Sequence, residues 1–254
     1  MSLFYNNLNK ITPEKVLDSS DIIRIFIGYD FRERAATNVL IDSLYQRSSK
    51  PLSITPLVID QLKSNNIYWR ERDKLQSTDF SFSRFLIPFL MNYQDWAIFM
   101  DCDMLCLNDI SKLWSLRDEK YAIMCVKHDH KPKERTKFLG EIQSEYPKKN
   151  WSSLMLFNCR KCRALTVEYV NNASGMDLHR FNWLKEELLI GEINSSWNKL
   201  VDVEKIDKNN LKSIDMLHWT LGGPWFNNDF QRQGSLDPKW FTAREEAMKL
   251  WKCD

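Results

Sequence analysis

The chain has 254 residues, with 36 lysines and arginines against 34 acidic residues, ten tryptophans, six cysteines and only seven glycines. That length is enough for one large domain or two small ones with a real core, and 43% hydrophobic residues at a formal charge of +2 exclude a disordered tail protein. The balanced charge gives no electrostatic basis for binding nucleic acid, and apolar runs such as Trp96 to Met100 are far shorter than the roughly 20 residues that span a bilayer.

Residues 1–20 are polar and Asn-rich and read as an N-terminal extension, with 21–254 as the domain proper. The extension lacks the apolar segment of a secretory leader, and the cysteines have no framework spacing, so a cytoplasmic, reducing setting is expected. Ile22 to Gly28 is a β-branched apolar run suited to a strand covered on both faces. Phe31 to Gln46 carries Ala36, Leu40 and Leu44 at helical spacing. Leu52 to Ile59 is strand-like, but Pro56 assigns it to a sheet edge or a bulged strand. Ser83 to Leu90 predicts a helix interrupted or opened by Pro88, and Trp96 to Met100 a second buried strand. Asp109 opens a short helix to Leu116; Tyr121 to Val126 and Ser153 to Phe157 are further strands. Lys161 to Asn171, Phe181 to Leu189 and Thr242 to Lys252 predict helices, the last an amphipathic tail that packs on a core or, second, lies on a membrane surface. Strands alternating with helices predict an α/β domain, a mostly parallel sheet flanked by helices, with ligands beyond the carboxyl ends of the strands.

Two of those ends carry acids: Asp30 after the first strand, and Asp101-Cys102-Asp103 after Trp96 to Met100. Among 34 acidic residues an Asp-Xaa-Asp tripeptide alone carries little weight. Its position carries more, because two carboxylates at the end of a buried strand repel each other unless a cation joins them. A hard divalent ion that keeps positions for substrate phosphate fits such a pair. Two histidines at 128 and 130, flanking Asp129, could face one way to bind metal or touch substrate at the rim, but a solvated loop is the preferred reading; Cys159 and Cys162 form an isolated CxxC without a second metal-binding pair.

The segments Ser83-Arg84-Phe85-Leu86-Ile87-Pro88, Ala97 to Asp103, and Asp109-Ile110 with Leu113 together resemble glycosyltransferase family 8, nucleotide-sugar enzymes of the GT-A fold. Asn150 to Asn158 is similar to the family's strand beneath the donor sugar, Trp197-Asn198 to its aromatic-Asn pair, and His218 to Trp225 to its C-terminal His, Gly and Pro-Trp motif. The resemblance spans about residues 22 to 226. It implies a GT-A-like single domain with a Rossmann-like sheet, which transfers a hexose from UDP-glucose or UDP-galactose to a saccharide or glycoconjugate acceptor. It also implies retention of configuration. Asp101, Asp103 and His218 would hold Mn2+, with Mg2+ the second choice, since an imidazole beside carboxylates suits Mn2+. Gly28, Tyr29, Asp30, Arg34, Arg84, Cys102, Gly222 and Gly223 would surround the nucleotide. Asn150, Ser152, Ser153 and Trp225 would face the donor sugar or acceptor. Asp30 is equally well placed to cap the helix after it, and Arg84 to pair with an aspartate.

The sequence departs from the family in two places. Gly223 stands where the family has lysine, and no Asp-Gln pair is found near the expected reacting carbon. No nucleophile or base can be named; for an inverting reaction the candidates are Glu186, Glu187 and Glu192. Two rival readings are a haloacid-dehalogenase-like phosphatase, with Asp101 as nucleophile, and a non-catalytic sugar-binding module built on the tryptophans.

Overall fold

The computed structural model describes residues 22–73, 76–128, 148, 150–226 and 234–249. Among the described residues nine strands follow in chain order: β1 (Ile23–Gly28), β2 (Leu52–Leu57), β3 (Trp96–Met100), β4 (Met104–Cys106), β5 (Ile123–Cys125), β6 (Leu154–Asn158), β7 (Ile190–Glu192), β8 (Lys199–Leu200) and β9 (Met216–His218). The α-helices are α1 (Arg34–Arg47), α2 (Ile59–Ser64), α3 (Ile87–Leu90), α4 (Ile110–Ser115), α5 (Val167–Asn172), α6 (Gly175–His179) and α7 (Asp237–Ala247).

The central sheet has six strands in the order β2-β1-β3-β6-β5-β7. Every residue of β3 and β6 is buried, which is why both read as unbroken apolar runs. β2 lies at the edge as expected; its Pro56 sits opposite Ile27, where a missing N–H is tolerated. β1 runs parallel to β2 and β3, and β5 parallel to β7. β6 runs antiparallel to both β3 and β5. A strand buried on both faces has the same composition in either direction, so its reversal left no mark in the sequence.

A second sheet, β4-β9-β8, has no counterpart in the sequence reading, because its strands span only two or three residues. Its position matters. β3 ends at Met100 and β4 begins at Met104, so the chain passes from one sheet to the other through Asp101-Cys102-Asp103. Behind the small sheet lies a second core cluster, containing Val39, Leu105, Leu217, Trp219 and Trp240.

Three helix expectations need correction. The segment from Lys161 begins as a 3-10 turn (Cys159–Lys161), and α5 starts only after Thr166, whose hydroxyl accepts from the Tyr169 N–H. Phe181 to Leu189 is not an α-helix: Phe181 has φ of 61°, and a single 3-10 turn covers Glu187–Leu189. The helix lies earlier, as α6, capped by Ser174. The tail helix starts at Asp237 rather than Thr242, with proline in its first turn. It buries Trp240 at 1% exposure, with Phe241 packed against the second cluster. This is core packing; Leu250 and Trp251, like residues 1–20, lie outside the described residues. No described helix is long and apolar enough to cross a membrane.

At the end of β1, a Cβ on Gly28 would sit 2.2 Å from Cδ2 of Phe80, a fully buried ring. Phe80 in turn lies 5.2 Å from the Arg84 guanidinium. Gly28→Ala should therefore lower stability by roughly 1–3 kcal/mol, as overpacking does. In urea unfolding the midpoint should fall with the m-value unchanged; an unchanged midpoint would show that the ring has room to move.

Candidate active site

The polar side chains gather where the two sheets meet. β4 pairs antiparallel with β9, with His218 opposite Met104, and the Trp219 N–H donates to the Asp103 carbonyl at 2.9 Å. That ladder brings His218 to the aspartates from far along the chain. One donor atom each from Asp101, Asp103 and His218 lies within 4.8 Å of the others.

Each member is held from behind. Arg84 Nη1 forms an ion pair with Asp101 Oδ1 at 2.8 Å and donates to the Ser152 carbonyl at 2.8 Å, and Nε donates to the Phe80 carbonyl at 3.3 Å. The Asp101 N–H donates to the Ser153 carbonyl at 2.9 Å. Arg84 thus sits in the site, but beneath Asp101 and only 5% exposed, between the rings of Phe80 and Phe99.

Behind His218, Asn198 fixes the imidazole. The Ser153 hydroxyl donates to the Asn150 carbonyl at 2.6 Å and accepts from Asn198 Nδ2 at 2.8 Å. The Asn198 carbonyl oxygen therefore faces His218 Nδ1, 2.8 Å away, and can only accept. The proton of a neutral imidazole is thus fixed on Nδ1. Nε2, buried and without a hydrogen-bond partner, looks at Asp103 Oδ1 across 3.2 Å. Two lone-pair atoms so close require a proton or a cation between them.

Asp30, 1% exposed, caps the turn that follows β1. It accepts from the Arg32 N–H, Nε and Nη2 at 2.9, 3.0 and 2.7 Å, and from the Asp79 N–H at 3.1 Å. Burial pushes its carboxyl upward, and these bonds outweigh that and hold it below its ordinary value. The four bonds occupy its acceptor sites. Tyr29 is half-buried, and Arg34 is exposed over the Phe31 ring. Cys102 is fully buried, its thiol pushed well up by burial and by Glu33 and the neighbouring aspartates, so it is inert packing.

The sequence reading missed Glu33. It is 0% exposed, its Oε2 accepts from the Trp225 indole at 3.2 Å, and its Oε1 has no hydrogen-bond partner. Burial, then Asp103, Asp30 and Asp101, push its carboxyl well above the usual range. Flanked by Arg32 and Arg34, it carries no local signal that sets it apart from a solvated helix acid. Trp225, for its part, packs against Trp219 and Trp240 with centroids 6.3 and 5.3 Å apart. Gly222 has φ of 95°, and a Cβ on Gly223 would meet the Trp225 ring at 2.2 Å. Both glycines thus have a conformational or packing reason. Asn150 takes φ of 64° to start the turn before β6. Ser152 Oγ lies 2.7 Å from Nδ1 of His179, a residue the sequence reading did not single out.

Glu186, Glu187 and Glu192 are exposed, and the structure does not bring them to the Asp101–Asp103–His218 group; Glu187 instead pairs with Lys148 at 2.7 Å. The His128 side chain is 6% exposed and faces Glu204 at 3.7 Å, which corrects the expectation of a solvated loop. The Trp151 indole N–H donates to the His128 carbonyl at 2.9 Å. His130 lies outside the described residues. Cys159 and Cys162 are free and buried, their thiols donating to backbone carbonyls.

The glycosyl transferase family 8 model matches residues 35–229. Protein CDI of Arabidopsis thaliana is 48% identical over 229 residues, covering 89% of this chain and 87% of its own. Among solved structures, galactosyltransferase LgtC in complex with donor and acceptor sugar analogs superposes at TM-score 0.55 and 11% identity, over 91% of this chain and 98% of LgtC. The glycosyltransferase GlyE of Streptococcus pneumoniae TIGR4 gives 0.55 at 14% identity, with 87% of this chain and 60% of GlyE covered. The bifunctional WbbM gives 0.54 at 12% identity, and the chain spans about half of it (91% and 52%). At such identities these structures establish the fold alone, which is the GT-A glycosyltransferase fold.

Glu33 generates a pH prediction. Its folded-state carboxyl titrates above the ordinary 4.5, so above that pH the folded protein keeps a proton the unfolded chain releases, and stability falls as pH rises. Glu33→Gln removes this slope while an amide oxygen still accepts from Trp225. With a chelator present, the variant should be more stable than wild type by a margin that widens from about pH 5 to about pH 8. Urea unfolding at each pH reads it; a constant margin would mean that Glu33 titrates normally.

Proposed function

Because this chain belongs to glycosyl transferase family 8, we propose that it moves a hexose from UDP-glucose or UDP-galactose to a saccharide or glycoconjugate acceptor, with Asp101, Asp103 and His218 as ligands of a divalent cation. The observation that carries this reading is the arrangement of His218: Nδ1 is spent on Asn198, and Nε2 is buried, unpartnered and turned toward a carboxylate. A donor set of two carboxylates and a neutral imidazole fits Mn2+ ahead of Mg2+. When bound, the ion supplies Lewis-acid stabilisation of charge on the departing UDP.

The chain's own residues do the positioning. Arg84 fixes Asp101 and holds the Ser152 carbonyl, so the floor under the donor sugar and the cation ligand move as one unit. Tyr29 is left to stack on the base, since Asp30 is committed to Arg32 and Asp79. Gly222 and Gly223 allow the backbone to approach a diphosphate without a side chain between. Exposed Glu186, Glu187 and Glu192 support a retaining, front-face course in which the leaving phosphate takes the acceptor proton and no side-chain base is required. Five described cysteines are free, in keeping with a cytoplasmic protein whose residues 21–254 act as one domain after the 1–20 extension. The family assignment leaves the phosphatase alternative without support, and the cation ligands favour an enzyme over a passive sugar-binding module.

UDP with Mn2+ should stabilise the protein by about 2.7 kcal/mol at a hundredfold excess over Kd, more than either alone. Asp103→Ala and His218→Ala should each abolish the cation-dependent part and collapse UDP-hexose turnover. Asn198→Ala should weaken cation affinity by roughly 10–100-fold through loss of the imidazole's orientation. Thermal melts with UDP, GDP and ADP, each with Mn2+, check the reading. Stronger stabilisation by GDP or ADP would overturn the donor assignment, and full Mn2+-dependent activity in His218→Ala would make the histidine structural.

A further inference from the structure

At the opposite end of the central sheet lies a cleft of about 170 Å³. It opens where β1 and β3 begin, at Arg24 and Trp96, and where β6 ends, at Asn158. β3 separates it from Asp101 by five residues, roughly 17 Å at strand rise.

Three arginines line it, Arg24, Arg117 and Arg160, against two acids, Asp95 and Glu119. The acids are already engaged. Asp95 pairs with Arg160 at 3.2 Å and Arg24 at 3.9 Å. Glu119 accepts from the Trp96 indole at 2.7 Å and from Asn158 Nδ2 at 2.9 Å, bonds that lower its carboxyl and keep it ionised. Arg117 is different. Its guanidinium carbon sits 3.8 Å from the centroid of the Trp114 ring and its Nε donates to the Trp114 carbonyl at 2.7 Å. It makes no ion pair among the described residues. Glu119 and Asp95 attract it only from a distance, and a half-buried guanidinium whose two Nη groups make no hydrogen bond is a fork for an oxyanion.

We propose that this cleft is a binding site for a small phosphate-type oxyanion, held between Arg117 and the Arg24–Arg160 side. Its volume is below the roughly 300–1,000 Å³ of pockets that enclose larger ligands, which suits inorganic phosphate or the phosphate group of a small monoester, not a whole nucleotide. Among the described residues the lining carries three guanidiniums against two carboxylates, an excess of one positive charge that favours an anion. The site is independent of the transferase centre and of the function proposed for it.

Calorimetric titration of the full chain with inorganic phosphate tests this, at fixed ionic strength and with a chelator to keep divalent cations away. Wild type should bind saturably. Arg117→Gln should raise Kd about tenfold or more, in line with loss of a bidentate, charge-assisted contact. Arg160→Gln, at a side chain 68% exposed and so harmless to folding, should weaken binding too. Asp103→Ala should leave Kd unchanged. A parallel titration with glucose 6-phosphate separates the sources: tighter binding than phosphate assigns the site to a monoester, equal binding to the free ion. The proposal is overturned if wild type shows no saturable binding, if both arginine variants keep the wild-type Kd, or if Asp103→Ala loses it.

Discussion

Asp30, Glu33, Asp101 and Asp103 are drawn together at the carboxyl ends of β1 and β3, in a space from which water is largely excluded. Like charges in such surroundings repel far more strongly than in solvent. The surrounding structure answers each one separately. Arg32 neutralises Asp30, Arg84 lies under Asp101, His218 stands against Asp103, and Glu33 keeps its proton and accepts the Trp225 indole. The elements that supply these partners must all reach the same few ångströms, and this requirement explains much of the architecture around them.

The small sheet serves that requirement. Its β4–β9 ladder registers His218 beside the aspartates, and its apolar back face, with Leu105, Leu217 and Trp219, continues the core into α7 through Trp240. Trp225 links the same cluster to Glu33. On the other side, Arg84 connects Asp101 to the turn before β6, and Ser153 with Asn198 connects that turn to His218. Two paths thus run from the one turn before β6 to Asp101 and to His218. Removing Arg84 or Asn198 should loosen Asp101 or His218 from its place.

Much of this was legible in the sequence. The unbroken apolar runs of β1 and β3 identified buried strands, and such burial pushes Asp101 and Asp103 to a strand end where they meet. His218 entered through the order of its motif, since no local spacing connects it to position 101. What stayed hidden has physical reasons. β6 is buried on both faces, so its direction is not encoded in periodicity. β8 and β9, with two and three residues, are too short for any pattern. Glu33 differs from an ordinary helix acid only in facing inward, through a 3-10 turn that precedes α1. His179 needed the fold to reach Ser152, and Phe181 to Leu189 has helical composition but a left-handed residue at its start.

The central claim is that this cluster of charges is built around a cation, with His218 Nε2 as a ligand. Pulsed electron paramagnetic resonance on the protein with Mn2+ and UDP measures it directly. Wild type should show phosphorus coupling from the nucleotide together with nitrogen coupling from a directly bound imidazole, and His218→Ala should lose the nitrogen coupling. Mn2+ and UDP bound to wild type with phosphorus coupling but no imidazole nitrogen would contradict the account.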